Sequence, residues 1–489
     1  MAAGPPHGAL QLTPVDLREL MGADAPTAEI RDLAYASTSV TPGALFFCVR
    51  GFRTDGHAFA PDAIERGAAA LVCERSLALG VPEVVVPDAR AAMGPAASRF
   101  YGDPTSQIKV VGITGTNGKT TTAYLVRAVL EAAGIPTGLL GTVASVVGSR
   151  EEPVERTTPE AIDLQRLFRR MLDAGDGACV MEVSSHALSL GRAEGITFAV
   201  RVFTNLTQDH LDFHPTMEDY YLAKRRLFDG PGLAVVNADD GYGRRLAAEL
   251  GDGATTYGID APADFRAREV AFGAAGARFR CETPEGEAEV VTRLPGLFNV
   301  QNALAAMAAA RGLGLELEAV VRGLAGAARV PGRFEPVDEG QGFAVLVDYA
   351  HTPDSLENVL RAARPITEGR LHVVFGAGGD RDRTKRALMG AVARELADRV
   401  IVTSDNPRSE DPEAILEEIL AGAGPGAERE IDRRAAIGRA LDGAEPGDVV
   451  VVAGKGHEQG QEFAGGRKEP FDDVEVVREA LRTAAGAPR

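Results

Sequence analysis

Residues 110–122 read VVGITGTNGKTTT, and this stretch decides the fold of the middle of the chain. It ends like a phosphate-binding loop, with Gly118, Lys119 and Thr120 in the order that cradles a nucleotide phosphate. The usual G-x-x-x-x-G-K-[ST] spacing, however, puts its first glycine where this chain has Ile113. The stretch alone is therefore compatible with a phosphate loop of another kind or with a plain glycine turn.

The flanks of the loop favour the phosphate site. The preceding KVVGITG is a β-branched run that predicts a strand, and the following TTAYLVRAVLEAAG has apolar residues at helical spacing, with Gly134 as its stop. A glycine loop between a strand and a helix presents backbone N–H groups and the helix N-terminus to an anion. In this setting Lys119 would reach the β- and γ-phosphates, and the Thr120 hydroxyl would contact Mg²⁺.

The composition is that of a globular protein with an acidic surface. A length of 489 residues predicts about three domains. The formal net charge of −18 argues against nucleic acid as the main partner, because phosphate backbones select basic surfaces. We expect neither a secretory signal nor a membrane span, and we place the protein in the cytoplasm. Four scattered cysteines fit buried thiols in a reducing compartment: Cys48, Cys73, Cys179 and Cys281.

Strand-like and helix-like segments alternate along the chain and predict an α/β protein of three domains. Residues 1–106 contain ALFFCVRG and AALVCE around APDAIERGA, which predicts a small α/β domain. Residues 107–330 add ACVMEVSS, VRVFTNL and LAVVNAD, which predicts a central parallel sheet of the P-loop ATPase kind. Residues 331–489 contain AVLVDYA, LHVVFGAGG, RVIVTSD and DVVVVAGKG, which predicts a Rossmann-like doubly wound sheet with ligands at the carboxyl ends of its strands.

Several further motifs, in order along the chain, identify a family resemblance. After TGTNGKTT come MEVSSHAL, FTNLTQDHLDFH, YYLAKRRLF, LPGLFNVQNALAA, VPGRFE, VDYAHTPDSL, FGAGGDRDRTKR, SDNPRSEDP and VVAGKGHE. Their sequence and spacing resemble the Mur ligase superfamily, ATP-dependent amide-forming enzymes of peptidoglycan synthesis. The segment ASTSVTPGALFFCVRGFRTDGHAFAPDAIERGAAALV also resembles the UDP-binding module of that family. The match spans almost the whole chain.

The resemblance implies an ATP site at the loop, with Mg²⁺ beside it. On the residues alone, Glu182 and His210 end apolar strands as satisfied polar side chains, and Lys224 is a solvated lysine on a helix. The family match implies instead that Glu182 and His210 help to hold a second Mg²⁺. It also implies that Lys224 carries a carbamate, an oxygen donor for a hard metal. The implied ATP-binding positions are Gly115, Thr116, Asn117, Gly118, Lys119, Thr120, Thr121, Asn299, Arg333 and Asp348.

The segment RTTPEAIDLQ starts a predicted helix, and on the residues alone Thr157 and Thr158 form a capping motif with Glu160. The resemblance places UDP-N-acetylmuramoyl-L-alanyl-D-glutamate here, bound by Ser37, Thr157, Thr158, Ser184 and Arg192. An arginine pairs bidentately with a carboxylate, which suits the role implied for Arg192. The chain departs from the family at Ala36-Ser37-Thr38, where Asp-Ser-Arg is common, and at Leu190, where a polar residue is common.

The tetrapeptide Asp405-Asn406-Pro407-Arg408 bears on the incoming amino acid. On the residues alone it is a turn, because Asn-Pro interrupts regular structure. Within the family it accompanies meso-diaminopimelate rather than lysine, and a buried arginine without an anion is costly. The acceptor positions that the resemblance implies are Arg381, Asp405, Asn406, Pro407, Arg408, Gly454 and Glu458.

The function expected from the sequence is an acid–amino-acid ligase that acts through an acyl phosphate. Its substrates would be ATP, UDP-N-acetylmuramoyl-L-alanyl-D-glutamate and meso-diaminopimelate, and we expect a monomer with no nucleic-acid or membrane partner. The alternatives are the same reaction with lysine or ornithine, another ligase of the superfamily such as folylpolyglutamate synthase, and a P-loop switch or motor. A switch or motor would hydrolyse ATP without an amino-acid acceptor.

Overall fold

The computed structural model of the protein describes residues 13–51, 54–154, 156–273 and 275–486, with side chains up to residue 483. The chain divides into two compact units. The first comprises the chain up to Gly112 with Ile135–Arg201 and Arg226–Gly232. The second comprises Ile113–Gly134, Val202–Arg225 and the chain from Leu233 onward. Each unit is described by itself.

The first part of the chain forms a small sheet between two apolar layers. Strands β3 to β6 pair in sequence order and all run parallel. Side chains alternate across the sheet, so Leu45 and Phe47 join one apolar cluster while Phe46 joins the other. The elements are β1 (Val15–Asp16), α1 (Leu17–Met21), β2 (Glu29–Ile30), β3 (Asp32–Ala34), β4 (Ala44–Phe47), α2 (Ala60–Glu65), β5 (Ala70–Cys73), β6 (Glu83–Val85) and α3 (Ala89–Phe100).

The middle of the chain alternates strands and helices as predicted, and a strand and a helix flank the glycine loop. Its first elements are β7 (Lys109–Thr114), α4 (Lys119–Ala132), β8 (Thr137–Leu140), β9 (Ser145–Val147), β10 (Arg150–Glu152), α5 (Ala161–Ala174), β11 (Ala178–Glu182), α6 (Ser185–Ser189) and β12 (Phe198–Phe203). Next come α7 (Met217–Arg225), β13 (Leu233–Asn237), α8 (Gly241–Leu250), β14 (Ala254–Gly258), β15 (Phe265–Gly273), β16 (Gly276–Thr283), β17 (Gly286–Thr292), α9 (Leu297–Gly312) and α10 (Leu317–Gly326).

The strands of this middle part are mainly, but not entirely, parallel. In the first unit β8 pairs in parallel with β11, and in the second β13, β14 and β15 pair in parallel. However, β9 and β10 continue from β8 as antiparallel strands, and β15, β16 and β17 form an antiparallel meander. The predicted parallel sheet is therefore present, with antiparallel strands that the alternation of strands and helices did not predict. The missed signal is the alternation in ARFRCET, where Phe279 and Cys281 are buried, followed by the turn at Thr283–Gly286.

The last part of the chain is doubly wound, as predicted. Its sheet has the order β18-β19-β23-β20-β21-β22, and its pairs are parallel except for β18 with β19. Val449 and Val451 face one apolar core while Val450 and Val452 face another, so both faces are covered. The elements are β18 (Glu335–Pro336), β19 (Ala344–Asp348), α11 (Pro353–Ala363), β20 (Leu371–Phe375), α12 (Thr384–Leu396), β21 (Arg399–Val402), α13 (Pro412–Ala423), β22 (Glu428–Arg429), α14 (Arg433–Asp442), β23 (Val449–Ala453), β24 (Gly460–Glu462), β25 (Lys468–Pro470) and α15 (Asp473–Gly486).

Two expectations from composition can be compared with this fold. All four cysteines are buried free thiols, as expected. Of the described helices, none has both the length and the apolar character that crossing a bilayer requires.

Candidate active site

The loop between β7 and α4 requires glycine at two positions. Gly115 has φ +149° and Gly118 has φ +85°. A Cβ atom on Gly115 would lie 1.8 Å from the Thr204 hydroxyl oxygen, and one on Gly118 would lie 2.4 Å from Oδ1 of Asn302. Both distances are well inside van der Waals contact. Close approach of neighbouring side chains, together with the positive φ angles, thus explains why these two positions are glycine.

The cationic side chain of the loop is held by the loop itself. Lys119 Nζ donates hydrogen bonds to the carbonyl oxygens of Gly115 at 2.9 Å and Thr116 at 2.8 Å. The buried Thr120 hydroxyl accepts a hydrogen bond from Nη2 of Arg333 at 3.1 Å. Lys119 and Thr120 therefore lie in the first turn of α4, with the Arg333 side chain bonded to Thr120. All three are implied ATP-binding positions, and the N-terminus of a helix favours an anion.

Asn117 connects the loop to the last part of the chain. Its Nδ2 donates to Oδ2 of Asp354 at 2.6 Å, and its backbone N–H donates to Oδ1 of Asn205 at 2.9 Å. Burial raises the pKa of Asp354, although the bond from Asn117 opposes that shift. Asp354 lies in the first turn of α11 and was not predicted. No local signal could have found it, because 237 positions separate the two residues.

Asn299 and Asp348, two of the implied ATP-binding positions, are buried and already hydrogen-bonded. Asn299 Oδ1 accepts from Nδ2 of Asn302 at 3.1 Å. The Asp348 carboxylate accepts hydrogen bonds from the backbone N–H groups of Phe334 at 2.6 Å and Ala350 at 2.8 Å. Burial raises the pKa of Asp348, while the Arg333 charge opposes this shift.

Lys224 is not the solvated lysine that its helix alone suggests. It is 1% exposed on α7, and its Nζ donates to the Gly115 carbonyl oxygen at 2.7 Å. The same nitrogen lies 4.6 Å from the centre of the Tyr220 ring. Burial, with a smaller effect from the Lys119 charge, lowers the pKa of Lys224 well below its ordinary value. A neutral amine is the form that combines with CO₂, so this environment favours a carbamate.

His210 does not end a strand. β12 ends at Phe203, and His210 lies in the following loop with φ +56°. Its neighbour Asp209 is the buried centre of a charged cluster, with carboxylate oxygens 3.5 Å from His210 Nε2, 3.7 Å from His351 Nε2 and 3.3 Å from Lys385 Nζ. Although burial opposes it, Lys385 and His210 hold the pKa of Asp209 well below its usual range.

The donor set predicted for Mg²⁺ fits that ion if Lys224 is carbamylated. Glu182 ends β11 and accepts hydrogen bonds from the Thr142 backbone N–H at 2.8 Å and hydroxyl at 3.1 Å. In the second unit, Thr120 offers a hydroxyl oxygen and His210 a ring nitrogen. Within the described ranges, no three His, Cys, Asp or Glu side chains are grouped to hold a metal. A carbamate would supply the oxygen donors that Mg²⁺ prefers.

The two threonines before α5 bond to other segments of the first unit, Thr158 to the end of β11 and Thr157 to Thr142, rather than capping a helix. The Thr158 hydroxyl donates to the Glu182 carbonyl oxygen at 3.0 Å and accepts from the Ser184 N–H at 3.1 Å. Thr157 Oγ1 lies 3.0 Å from Thr142 Oγ1. Residue 160 is the N-cap position, but its side chain makes no capping bond. The capping interpretation was therefore wrong.

Glu160 instead forms ion pairs with three arginines. Its carboxylate oxygens lie 2.7 Å from Arg90 Nη1, 3.2 Å from Arg156 Nη1 and 3.0 Å from Arg192 Nε. Nη1 of Arg192 also donates to the Thr158 carbonyl oxygen at 3.2 Å. Arg192, predicted to bind a substrate carboxylate, thus lies against a carboxylate of the protein.

Two cavities in the first unit share Tyr35, Arg156 and Glu160 in their walls. One, of about 430 Å³, is also lined by Ser37, and the other, of about 270 Å³, by Thr157. Ser37 and Thr157, two of the five residues predicted to bind the UDP-linked substrate, therefore line two cavities with a common wall.

The predicted Asp-Asn-Pro-Arg turn follows β21 at the carboxyl edge of the last sheet. Asn406 Nδ2 donates to Oε2 of Glu458 at 2.8 Å. Arg408 has φ +52°, its Nε donates to Oε2 of Glu462 at 2.9 Å, and its Nη1 donates to the Gly379 carbonyl oxygen at 2.8 Å. The residues predicted to bind the ends of a diamino acid are thus brought together.

Lys455 is a buried member of this cluster that the sequence analysis missed. Its side chain is fully buried, and Nζ lies 3.4 Å from Asp405 Oδ1, 3.0 Å from Asn406 Oδ1 and 3.0 Å from Glu458 Oε2. Burial opposes ionisation of Asp405, but Lys455 and Arg433 lower the pKa of its carboxyl. The available signal was a lysine between glycines at the end of an apolar strand.

The remaining predicted acceptor positions border the same turn. A Cβ atom on Gly378 would lie 2.9 Å from Arg408 Nη1 and 3.7 Å from Arg381 Cγ, so both arginines flank one glycine. Gly454 has φ +119°, and a Cβ there would lie 2.8 Å from Asp405 Oδ2. The Pro407 carbonyl oxygen accepts the N–H of residue 410 at 3.1 Å.

The chain matches known proteins over most of its length. Three family models match: the Mur ligase family catalytic domain over residues 29–101, the Mur ligase middle domain over 113–310, and the Mur ligase glutamate ligase domain over 332–456. The UDP-N-acetylmuramoyl-L-alanyl-D-glutamate--2,6-diaminopimelate ligase of Geobacillus thermodenitrificans is 49% identical, over 93% of this chain and 95% of its own. The protein of the same name from Streptomyces coelicolor is 48% identical, over 99% of each chain.

A solved structure of a ligase of that name matches with a TM-score of 0.70 and 32% identity, covering 97% of this chain and all of the other. Sequence and structure agree along nearly the full length, and the chain therefore belongs to the Mur ligase family and has its three-domain α/β fold.

Proposed function

We propose that this protein is an ATP-dependent ligase that joins meso-2,6-diaminopimelate to the D-glutamyl γ-carboxylate of UDP-N-acetylmuramoyl-L-alanyl-D-glutamate, in peptidoglycan synthesis. The observation that carries the proposal is the cluster at the edge of the last sheet, where Arg408 and Glu458 flank one turn. Diaminopimelate presents a carboxylate and an ammonium at its distal end, which suits one cation and one anion. The relatives named above carry the name of this reaction.

The loop residues support the first half of the reaction. The γ-phosphoryl group of ATP moves to the substrate carboxylate oxygen, giving an acyl phosphate and ADP. Lys119 lies at the helix N-terminus, where it would stabilise charge on the phosphoryl oxygens. Bound Mg²⁺ would add further charge neutralisation, held through Thr120, His210 and a carbamylated Lys224. Glu182 as a further metal ligand stays a prediction.

The acceptor cluster supports the second half. The proximal amine of diaminopimelate attacks the acyl carbon, loses a proton, and the tetrahedral intermediate expels phosphate to leave an amide. Arg408, with Arg381 beside the same glycine, would hold the distal carboxylate, and Glu458 would hold the distal ammonium. Ser37, Thr157, Thr158, Ser184 and Arg192 would bind the UDP-linked substrate, with Arg192 leaving Glu160 for the substrate carboxylate.

The alternative functions fit these contacts less well. Lysine and ornithine have no distal carboxylate, so Arg408 would have no substrate anion. A folylpolyglutamate synthase would need neither the nucleotide-side cavity around Ser37 nor this turn, and a switch or motor would need no acceptor cluster. The cytoplasmic location, the monomeric state and the domain limits at residues 106 and 330 stay predictions.

The specificity proposal is tested by Arg408→Ala. A charged hydrogen bond contributes about 1.5–3 kcal/mol, so the variant should lose roughly 10–150-fold in kcat/KM for diaminopimelate. Its kcat/KM for lysine should change little, because lysine has no carboxylate for Arg408 to bind. The measurement is the steady-state rate of ADP release with each acceptor, for the parent and the variant.

Equal losses with both acceptors would mean that Arg408 supports the fold or the end common to all amino acids. Arg429→Ala is a matched control, because Arg429 lies on β22 of the same sheet and pairs with Glu413 rather than with the acceptor cluster. That variant should keep the parental kcat/KM for both acceptors.

A further inference from the structure

The short strand β24 packs directly on the Asp-Asn-Pro-Arg turn. The Arg408 N–H donates to the Glu462 carbonyl oxygen at 3.0 Å, and the Glu462 N–H donates to Asn406 Oδ1 at 2.9 Å. Gln461 Nε2 donates to the Asp405 carbonyl oxygen at 2.9 Å. Main-chain and side-chain bonds together therefore fix β24 against the turn.

Glu462 also holds the side chain of Arg408. Oε2 of Glu462 accepts a hydrogen bond from Nε–H of Arg408 at 2.9 Å, and the Gly379 carbonyl oxygen accepts one from Nη1–H of Arg408 at 2.8 Å. Two partners on different nitrogens determine the plane of a guanidinium group. The described residues give Nη2 no hydrogen bond, so this nitrogen is the part of the fork available to a ligand oxygen.

We propose that Glu462 is a positioning residue for acceptor specificity, which orients Arg408 so that Nη2 faces the distal carboxylate of the incoming amino acid. The inference rests on the proposed function, because it concerns the same acceptor site. Glu462 does not act as a stand-in for that carboxylate, since its own N–H and C=O are bonded to the turn and keep it in place. A fixed Arg408–Glu462 pair beside Glu458 gives the pocket alternating charges, which matches a distal end that carries both an ammonium and a carboxylate.

Glu462→Ala and Glu462→Gln test this role by a selective change in KM. The alanine variant should raise the KM for diaminopimelate roughly tenfold and leave kcat within about threefold of the parent. Glutamine keeps an oxygen that can accept a hydrogen bond from Nε–H but loses the carboxylate charge, so its KM should rise less, by about threefold. The KM values for ATP and for the UDP-linked substrate should not change, since the proposed function places both at other residues.

Glu469→Gln is the matched control, because Glu469 lies opposite Gln461 on β25 and pairs with Arg467 at the surface. It removes one charge from the same hairpin and should leave every KM unchanged. A Glu462→Ala variant with the parental KM for diaminopimelate, or with equal rises for all three substrates, would overturn the inference while the proposed function stands. A parent without diaminopimelate-dependent turnover would refute the proposed function, and the inference with it.

Discussion

Replacing Lys119 with alanine is expected to lower ADP formation about a thousandfold while the protein still folds. Lys119 is the cation at the N-terminus of α4, held by two carbonyl oxygens of the loop. Loss of one preorganised charge stabiliser costs about 10²–10³-fold in rate, and this one also binds the nucleotide. Because the side chain is only half-buried and its partners are main-chain groups, the melting temperature should move by about 2 °C or less.

The measurement is ADP release with all substrates present, accompanied by thermal unfolding of the same samples. Lys109→Ala is the matched control, because Lys109 is exposed at the first position of β7, the strand that leads into the loop. Substantial turnover by the Lys119 variant would remove the phosphate-binding role of this loop.

Lys224→Ala should be nearly inactive, also by about a thousandfold, and partly rescued by formate or acetate. The buried amine lies beside the loop, and its lowered pKa favours the neutral form that takes up CO₂. Its carbamate would be an anionic oxygen donor, and removing such a donor removes both a metal ligand and a fixed charge. A small carboxylate can enter the space left by the side chain and supply oxygens of the same kind.

Lys224→Arg separates the carbamate from the positive charge. Arginine keeps a cation at the position but does not form a carbamate, so it should be as inactive as alanine and gain nothing from acetate. An active arginine variant, or intact parental protein that carries no added CO₂ by mass spectrometry, would contradict the carbamate.

Local sequence information was sufficient for the loop and for the last sheet. A β-branched strand, a glycine loop and a helix are adjacent in the chain, so the loop at Lys119 and the two elements that flank it could be predicted before any fold was known. The run VVVV is apolar at every position, which indicates a strand that is buried on both faces of a sheet. β23 does have an apolar core on each side.

What the sequence could not supply were partners that only the fold brings together. Asp354 meets Asn117, and Lys455 meets Asp405, across separations that leave no periodic pattern. The arginine cluster on Glu160 was missed for a related reason. A glutamate at the start of a helix looks like part of a cap, and only the packing of α3 and α5 shows its other partners.

The most direct test of the proposed function is an acceptor panel with the purified parent. ATP and UDP-N-acetylmuramoyl-L-alanyl-D-glutamate would be supplied with meso-diaminopimelate, lysine, ornithine or no amino acid, and ADP release and product mass would be followed. The proposal predicts rapid ADP release with meso-diaminopimelate alone, matched by an equal amount of the UDP-linked tripeptide. ADP release at the same rate without any amino acid would contradict the ligase reaction, and a preference for lysine or ornithine would contradict the role given to Arg408.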